Sequence, residues 1–331
     1  MAFRISAPWW PLLALASPLL VPMLLVRNRR FRKNRNQAHQ LNLERINKAA
    51  PLALPELEFL DVTVLSEWAS EEGFMGEPGV SYLLRTDQGS LLYDVGFGPS
   101  RPTLAHNATK LGVSLDQVDA LAISHLHIDH MGGMKAGRSK QVIVPNELGA
   151  PGGKPCFLPD EAGAEGFAAE VVKGPRLLTA GIASIGPLAR SLFFFGWTEE
   201  QALLARIKDK GLVIFTGCGH PTIEVILQMV GRLSDQPIHA IGGGLHFPIT
   251  SGRGKYRGIQ MQMILGTGKP PWQRITDDDL SKTIRSINAA GPERVFLSAH
   301  DTCDHALRRF ANELKAETKV LRAGATYRIS A

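Results

Sequence analysis

The pattern of apolar and polar positions divides the chain in two. From Pro8 to Val26 there is no charged residue and one hydroxyl, Ser17. A run of this length just spans the hydrocarbon core of a bilayer as a helix. Trp9 and Trp10 stand where an interfacial aromatic belt lies. Pro8, Pro11, Pro18 and Pro22 each remove a backbone donor, which membrane helices tolerate better than soluble ones. Arg27, Arg29, Arg30, Arg32, Lys33 and Arg35 follow, with no acid among them. A cleaved leader is not followed at once by such a cluster, and a core helix is not so uniformly apolar. The pattern therefore predicts a retained single-pass anchor over 1–35, with the rest of the chain on the cytoplasmic side. The basic cluster also suits anionic headgroups, so membrane lipid is an expected partner. Residues 36–57 read as a polar linker with a short amphipathic helix on Leu41, Leu43 and Ile46.

From Glu58 the period changes, and 58–331 reads as one domain. Phe59–Leu65 is strand-like, and Val80–Arg85 with Ser90–Val95 reads as a hairpin about Asp87-Gln88-Gly89. Pro102–Leu111 predicts a helix, Val118–Ser124 a buried strand, and Gln141–Pro145 another strand. Residues 146–175, rich in Gly, Pro, Ala and Glu, read as a long loop covering a site. Arg176–Ile185 and Leu192–Trp197 have strand character. Glu199–Lys208 predicts a helix, Gly211–Thr216 a buried strand, Pro221–Leu233 a helix and Ile238–Ile241 a strand. Residues 247–275 form a second insertion. Thr276-Asp277-Asp278-Asp279 opens a helix to Ala290, with acids where the helix dipole favours them. Val295–Ser298, Lys319–Leu321 and Thr326–Ile329 are strand-like, and Thr302–Leu314 is helical. Strands come first and then alternate with helices, which suits two packed sheets with helices outside.

Composition adds little to this picture. The 331 residues are 44% hydrophobic, as in an ordinary globular protein, and Cys156, Cys218 and Cys303 are too few for a disulfide framework. The net charge of +6 equals the six basic residues of the juxtamembrane run, leaving about zero elsewhere. A nucleic-acid partner is therefore not expected, and a small-molecule substrate is.

One stretch carries chemistry: Ser124-His125-Leu126-His127-Ile128-Asp129-His130-Met131-Gly132-Gly133. Its histidines and carboxylate follow the buried strand and precede a Gly pair. Burying four such groups without partners would cost several kcal/mol. Imidazole with carboxylate suits zinc, iron or manganese. Strand alternation lets His125 and His127 point the same way. Asp129 and His130 then serve a second metal about 3.5–4 Å away, the usual two-metal spacing.

The pattern H-x-H-x-D-H followed by Gly-Gly resembles the signature of the metallo-β-lactamase-fold superfamily. The resemblance extends to Leu91-Leu92-Tyr93-Asp94-Val95-Gly96, Asn107–Gly112 and Asp119–His125, and to Thr216-Gly217-Cys218-Gly219-His220 and Gly242-Gly243-Gly244-Leu245-His246. Together these resemble the dihydropterin synthase-like subgroup over 58–330. The resemblance implies an αββα sandwich with its site at one edge of the sheets. It also implies a further His on the first metal, a bridging Asp and a last His on the second. Residues 131–219 contain no His, which makes His220 the candidate for the first. The bridging position reads Cys218, a departure from the family pattern; a thiolate binds zinc well, and a small buried residue is the alternative. His300 matches the last His, although Asp301-Thr302-Cys303 follows where the subgroup has Cys-Thr-Gly. Asp94 resembles the family's orienting carboxylate and joins Asp129 as a candidate catalytic residue. His246, after three glycines, is expected to face substrate or metal. Arg253, Lys255 and Arg257 of the second insertion are expected to hold a substrate phosphate. His39, His106, His239 and His305 have no such context.

The expected cofactor is two divalent ions, zinc first, with iron or manganese as alternatives. Such a pair acidifies a bridging water and stabilises a developing oxyanion. The expected function is a membrane-anchored metal-dependent hydrolase acting on a small anionic or phosphorylated substrate. The competing readings are a dihydropterin synthase-like condensing transferase acting on a pterin-like ring, and a non-catalytic scaffold. Di-iron flavoproteins of the fold usually carry Glu at the place of His127, and nucleases of the fold add a domain or basic arm. The sequence does not fix the oligomeric state.

Overall fold

In the computed structural model, which describes residues 4–331, a long helix leads into two packed sheets. The helix, α1 (Trp10–Lys48), runs unbroken through Pro18 and Pro22. The stretch expected as a linker from residue 36 is thus largely the C-terminal end of α1. Phe31, Ala38, Asn42 and Ile46 give it a buried face at helical spacing. Asn42 exchanges hydrogen bonds with the Ala189 backbone, accepting from its N–H at 2.7 Å and donating to its carbonyl at 2.8 Å. Arg45 pairs with Glu199 at 2.6 Å.

The first sheet contains β1 (Phe59–Ser66), β2 (Ser81–Thr86), β3 (Gly89–Tyr93), β4 (Ala120–Ala122), β5 (Pro155–Leu158) and β6 (Ala168–Val171) in chain order. The second contains β7 (Arg176–Thr179), β8 (Ile182–Leu192), β9 (Gly196–Ile207), β10 (Gly211–Thr216), β11 (Ile238–Gly243), β12 (Arg294–Leu297) and β13 (Glu317–Val320). The last strand, β14 (Thr326–Ser330), returns to pair antiparallel with β1. In each sheet an antiparallel part gives way to parallel strands: β3, β4, β5 and β6 in one, and β10, β11, β12 and β13 in the other. The remaining helices are α2 (Thr103–Leu111), α3 (Ile128–Met131), α4 (Gly133–Ser139), α5 (Ile223–Leu233), α6 (Asp277–Ala290) and α7 (Asp304–Glu313).

Three apolar layers follow from strand alternation. Val62, Tyr82, Leu84, Leu91, Phe215 and Phe296 fill the space between the sheets. Leu65, Leu83, Leu92 and Leu121 face outward against Leu104 and Ala108 of α2. Ile214, Ile241 and Val295 face outward against Ile226, Leu280 and Phe310 of α5, α6 and α7. This is the αββα arrangement expected from the resemblance. Thr276 caps α6 in a reciprocal capping box with Asp279, as its sequence predicts.

Two further expectations fail. Glu199–Lys208 is not a helix: Glu199–Ile207 lies within β9, paired antiparallel with both β8 and β10, and Lys208 begins the turn after it. Its Glu, Gln, Ala, Leu and Arg residues are good helix formers, but tertiary burial of both faces overrides that weak preference. Residues 146–175 do not form a cover. Cys156, Phe157 and Leu158 are buried, and β5 and β6 extend the first sheet.

Candidate metal centre

The cluster forms where β4 ends. The chain passes through Ser124 and His125, and His127, in extended conformation, precedes the first turn of α3. That turn carries Asp129 and His130 and ends at Gly132, whose φ is 112°. A Cβ there would stand 2.3 Å from the Ile143 carbonyl oxygen, so this turn requires glycine. From the other sheet, the loop after β10 brings Cys218 and His220, and the loop after β12 brings His300. Gly217 lets the two loops close: a Cβ on it would lie 2.1 Å from Ser124 Oγ.

Two ligand groups result. His125, His127 and His220 place their ligand atoms within 4.8 Å of one another, as do Asp129, His130, Cys218 and His300. Cys218 Sγ lies 3.2 Å from both His130 Nε2 and His300 Nε2. It also groups with His220 and His246. The thiol therefore stands between the two sets, where the resemblance implies a bridging carboxylate. His246 sits beside His220, with ring centroids 4.9 Å apart.

His125, His130, His300 and His220 are held from behind. His125 Nδ1 lies 2.9 Å from Ser124 Oγ. His130 Nδ1 lies 2.7 Å from Asp94 Oδ2, and the Ser124 N–H donates to Asp94 Oδ1 at 2.6 Å. Asp94 adopts φ 61°, a strained value for a non-glycine residue, and is fully buried. It orients His130 and does not face the cavity. His300 Nδ1 lies 2.5 Å from Ser298 Oγ, which donates to Glu67. Glu200 accepts the Gly219 and His220 backbone N–H groups, each at 2.8 Å. Such partners fix ring orientation and raise ligand basicity.

The electrostatics match metal ligation. Burial, with neighbouring imidazoles, holds His125 and His220 well below the usual histidine pKa; burial takes His127 to about 4. These three are neutral donors at pH 7. Burial lowers His130, but Asp94 and Asp129 outweigh it and hold its pKa up. At His300, Asp301 and Glu67 likewise outweigh burial and raise it to about 9. Burial, with the surrounding carboxylates, pushes the Cys218 thiol well above its ordinary pKa. Binding by Cys218, His130 and His300 thus requires proton release to an incoming cation. Among the described residues, the buried Nε2 atoms of His125 and His127 have no hydrogen-bond partner, and neither ring nitrogen of His246 has one, its Nδ1 standing 3.6 Å from Asp301 Oδ2. A buried donor set of imidazoles, a thiol and a carboxylate with such orphans fits divalent metal.

A cavity of about 500 Å³ opens over Asp129, His127, Cys218 and His246. Its walls are mostly apolar: Phe97, Leu126, Ile128, Met134, Phe195 and Leu265, with Arg138 the only Arg or Lys among the lining residues. A second cavity of about 440 Å³ shares His220, His246 and Gly266 and is lined by His39, Arg190, Lys269 and Lys282. The cations expected from the sequence are elsewhere. Arg253 donates to the Ala299 and Thr302 carbonyls and to Asp304, so it braces the loop around His300. Lys255 and Arg257 lie on an exposed hairpin outside both cavities. A run of basic residues in an insertion carried no information on which way each side chain would turn.

Glu67, Glu200 and Ser298 are the functional-site residues that sequence reasoning missed. Ser298, two residues before His300, was the one with a local signal. Glu67 lies 231 residues from Ser298 in sequence.

Residues 75–145 match the family model described as the Metallo-beta-lactamase superfamily. Among solved structures, Tm1679, described as a metal-dependent hydrolase of the beta-lactamase superfamily, is 23% identical. The match covers 82% of this chain and 100% of that one, with a TM-score of 0.59. The metallo-beta-lactamase fold protein YhfI from Bacillus subtilis is 15% identical over the same shares, with a TM-score of 0.50. No curated protein matches the chain by sequence. The chain carries a metallo-β-lactamase fold, and that fold implies divalent metal binding.

Proposed function

We propose that the protein is a metal-dependent hydrolase of esters or phosphoesters that works at a membrane. One observation carries the reading: two adjoining buried ligand groups, joined at Cys218, floor a cavity large enough for a small molecule. His125, His127 and His220 would hold one cation, and Asp129, His130, Cys218 and His300 the other. Divalent cations held there would polarise the scissile bond's oxygen and acidify water, with zinc the expected metal and iron or manganese the alternatives. Asp129, partly exposed at the cavity floor, accepts a hydrogen bond from water and orients it. His246 lines the cavity and faces the substrate. Asp94, Glu67 and Ser298 hold the ligand rings in place. Membrane attachment is supported by the helix over Ala7–Lys48, whose most apolar window contains no buried residue.

The second cavity supports one competing reading, the condensing transferase, because it offers a second substrate room on the other side of His220 and His246. Turnover in oxygen-18 water separates the two. Hydrolysis places one labelled oxygen in the acid product from a single substrate. Condensation consumes two substrates and places none.

A further inference from the structure

Both ends of the apolar stretch of α1 are tied to the catalytic domain. At its C-terminal end, Arg27 Nε donates to the Phe193 carbonyl at 2.7 Å, and Phe31 packs edge-on against Phe193. At its N-terminal end, the Gln260 N–H donates to the Arg4 carbonyl at 2.8 Å, the Ser6 N–H donates to the Gly258 carbonyl at 3.1 Å, and Trp9 Nε1 donates to the Arg257 carbonyl at 2.8 Å. Gln262, two residues beyond Gln260, donates to the His300 carbonyl at 2.9 Å. Two residues reach at most about 7 Å, so the segment before α1 lies close to the metal centre.

This geometry opposes a single span. Crossing a bilayer would place Arg4–Trp9 about 30 Å from Arg27, on the far side of the hydrocarbon. Here the same domain meets both ends. Along α1 one face is partly covered throughout, at Leu13, Ala16, Ser17, Leu20 and Leu24. The opposite face is open: Leu15 and Leu19 are over 80% exposed, and Leu12, Met23 and Val26 follow the same helical spacing. The exposed basic residues Arg29, Arg30, Arg32 and Lys33 continue that helix, which suits an anionic headgroup layer.

Residues beside both ties line the metal cavity. Phe195, next to the Phe193 and Phe194 carbonyls that Arg27 holds, forms one wall. Gly254, Met261 and Leu265, flanking the hairpin that holds Arg4–Trp9, form another. Of the lining residues, Phe195 and Met134 are large, apolar and exposed.

We infer that α1 lies along one membrane leaflet, with its N terminus on the same side as the catalytic domain, and that the cavity takes a long-chain amphipathic ester from that leaflet. The substrate half rests on the hydrolase reading. In the reaction, the oxygen of water bonds to the acyl carbon or phosphorus, the bond to the alcohol oxygen breaks, and the departing alcohol takes the proton. The apolar walls hold the chain while Asp129 and His246 face the ester.

The test uses the full chain in sealed phosphatidylglycerol–phosphatidylcholine vesicles. Cysteines are placed at Ala7→Cys and Asp235→Cys together, both on exposed positions, while Cys156, Cys218 and Cys303 are buried. An impermeant maleimide is added, and intact mass counts labels per chain. The inference requires two labels or none on each chain, whatever the mixture of orientations. One label per chain means a single span and overturns it. So does failure to float with the vesicles, which would mean that a second copy covers the open face. Hydrolysis of butyl-chain and decyl-chain p-nitrophenyl carboxylic esters and phosphodiesters tests the substrate. The decyl compounds are expected to have a kcat/KM at least about tenfold higher. Equal or inverted rates overturn the substrate half. If the zinc-loaded chain cleaves none of them but carries paired labels, the hydrolase reading and the substrate half both fail, while the leaflet placement stands.

Discussion

Glu200 sits directly under His220: its Oε2 accepts the His220 backbone N–H at 2.8 Å, and its Oε1 accepts that of Gly219 at the same distance. Burial raises its pKa from 4.5 to about 7 despite these bonds. The folded value exceeds the unfolded one, so stability from the neutral form is complete below about pH 4.5 and is lost as pH rises through 7. The shift corresponds to about 3 kcal/mol. Because His125, His127 and His220, held low, act in the opposite sense over the same window, the decline is read as the stability of wild type minus that of Glu200→Gln, which should fall in denaturant melts of the metal-free chains from pH 4 to 8. An unchanged difference would mean that Glu200 is ionised throughout.

Asp94 supports His130 from behind, and its left-handed φ suits Asn better than most residues. Asp94→Asn keeps the turn and removes the charge. Metal affinity should fall about 10–100-fold, with KM little changed. Competition with a chromogenic chelator measures the first and steady-state kinetics the second.

Gln201 ties the two sheets together. Its Nε2 donates to the Ile123 and Phe157 carbonyls at 2.8 and 3.1 Å, and its Oε1 accepts from Ser184. Gln201→Ala leaves these buried groups unpaired and should cost about 2–4 kcal/mol of stability, read from urea melts.

Arg253 braces the His300 loop and stacks over Trp68 at 5.2 Å. Arg253→Ala should lower stability by about 1–3 kcal/mol, because buried carbonyls lose a charged donor. KM for an anionic substrate should not rise specifically. A selective rise in KM with unchanged stability would return Arg253 to the substrate site.

The parts of this protein readable from its sequence are those whose signal is local. His125, His127, Asp129 and His130 fall in six residues after an apolar strand, and the structure draws them together. His220, Cys218 and His300 each follow an apolar strand, which places them on the same sheet edge. The strand within Glu199–Lys208 was not readable, because its residues favour a helix and only its two neighbouring strands decide otherwise. Glu67 and Glu200 were invisible for the same reason: their role exists only once distant loops meet. The charges at 253–257 misled because the hydrogen-bond partners of Arg253 lie 46–51 residues away.

The central claim is that these side chains form a two-metal centre with Cys218 at its junction. Elemental analysis of the full chain, purified without chelator and re-supplied with zinc, tests it directly. About two metal ions per chain are expected in the wild type and fewer in Cys218→Ala. Two in both would leave Cys218 a packing residue, and none in the wild type would contradict the account.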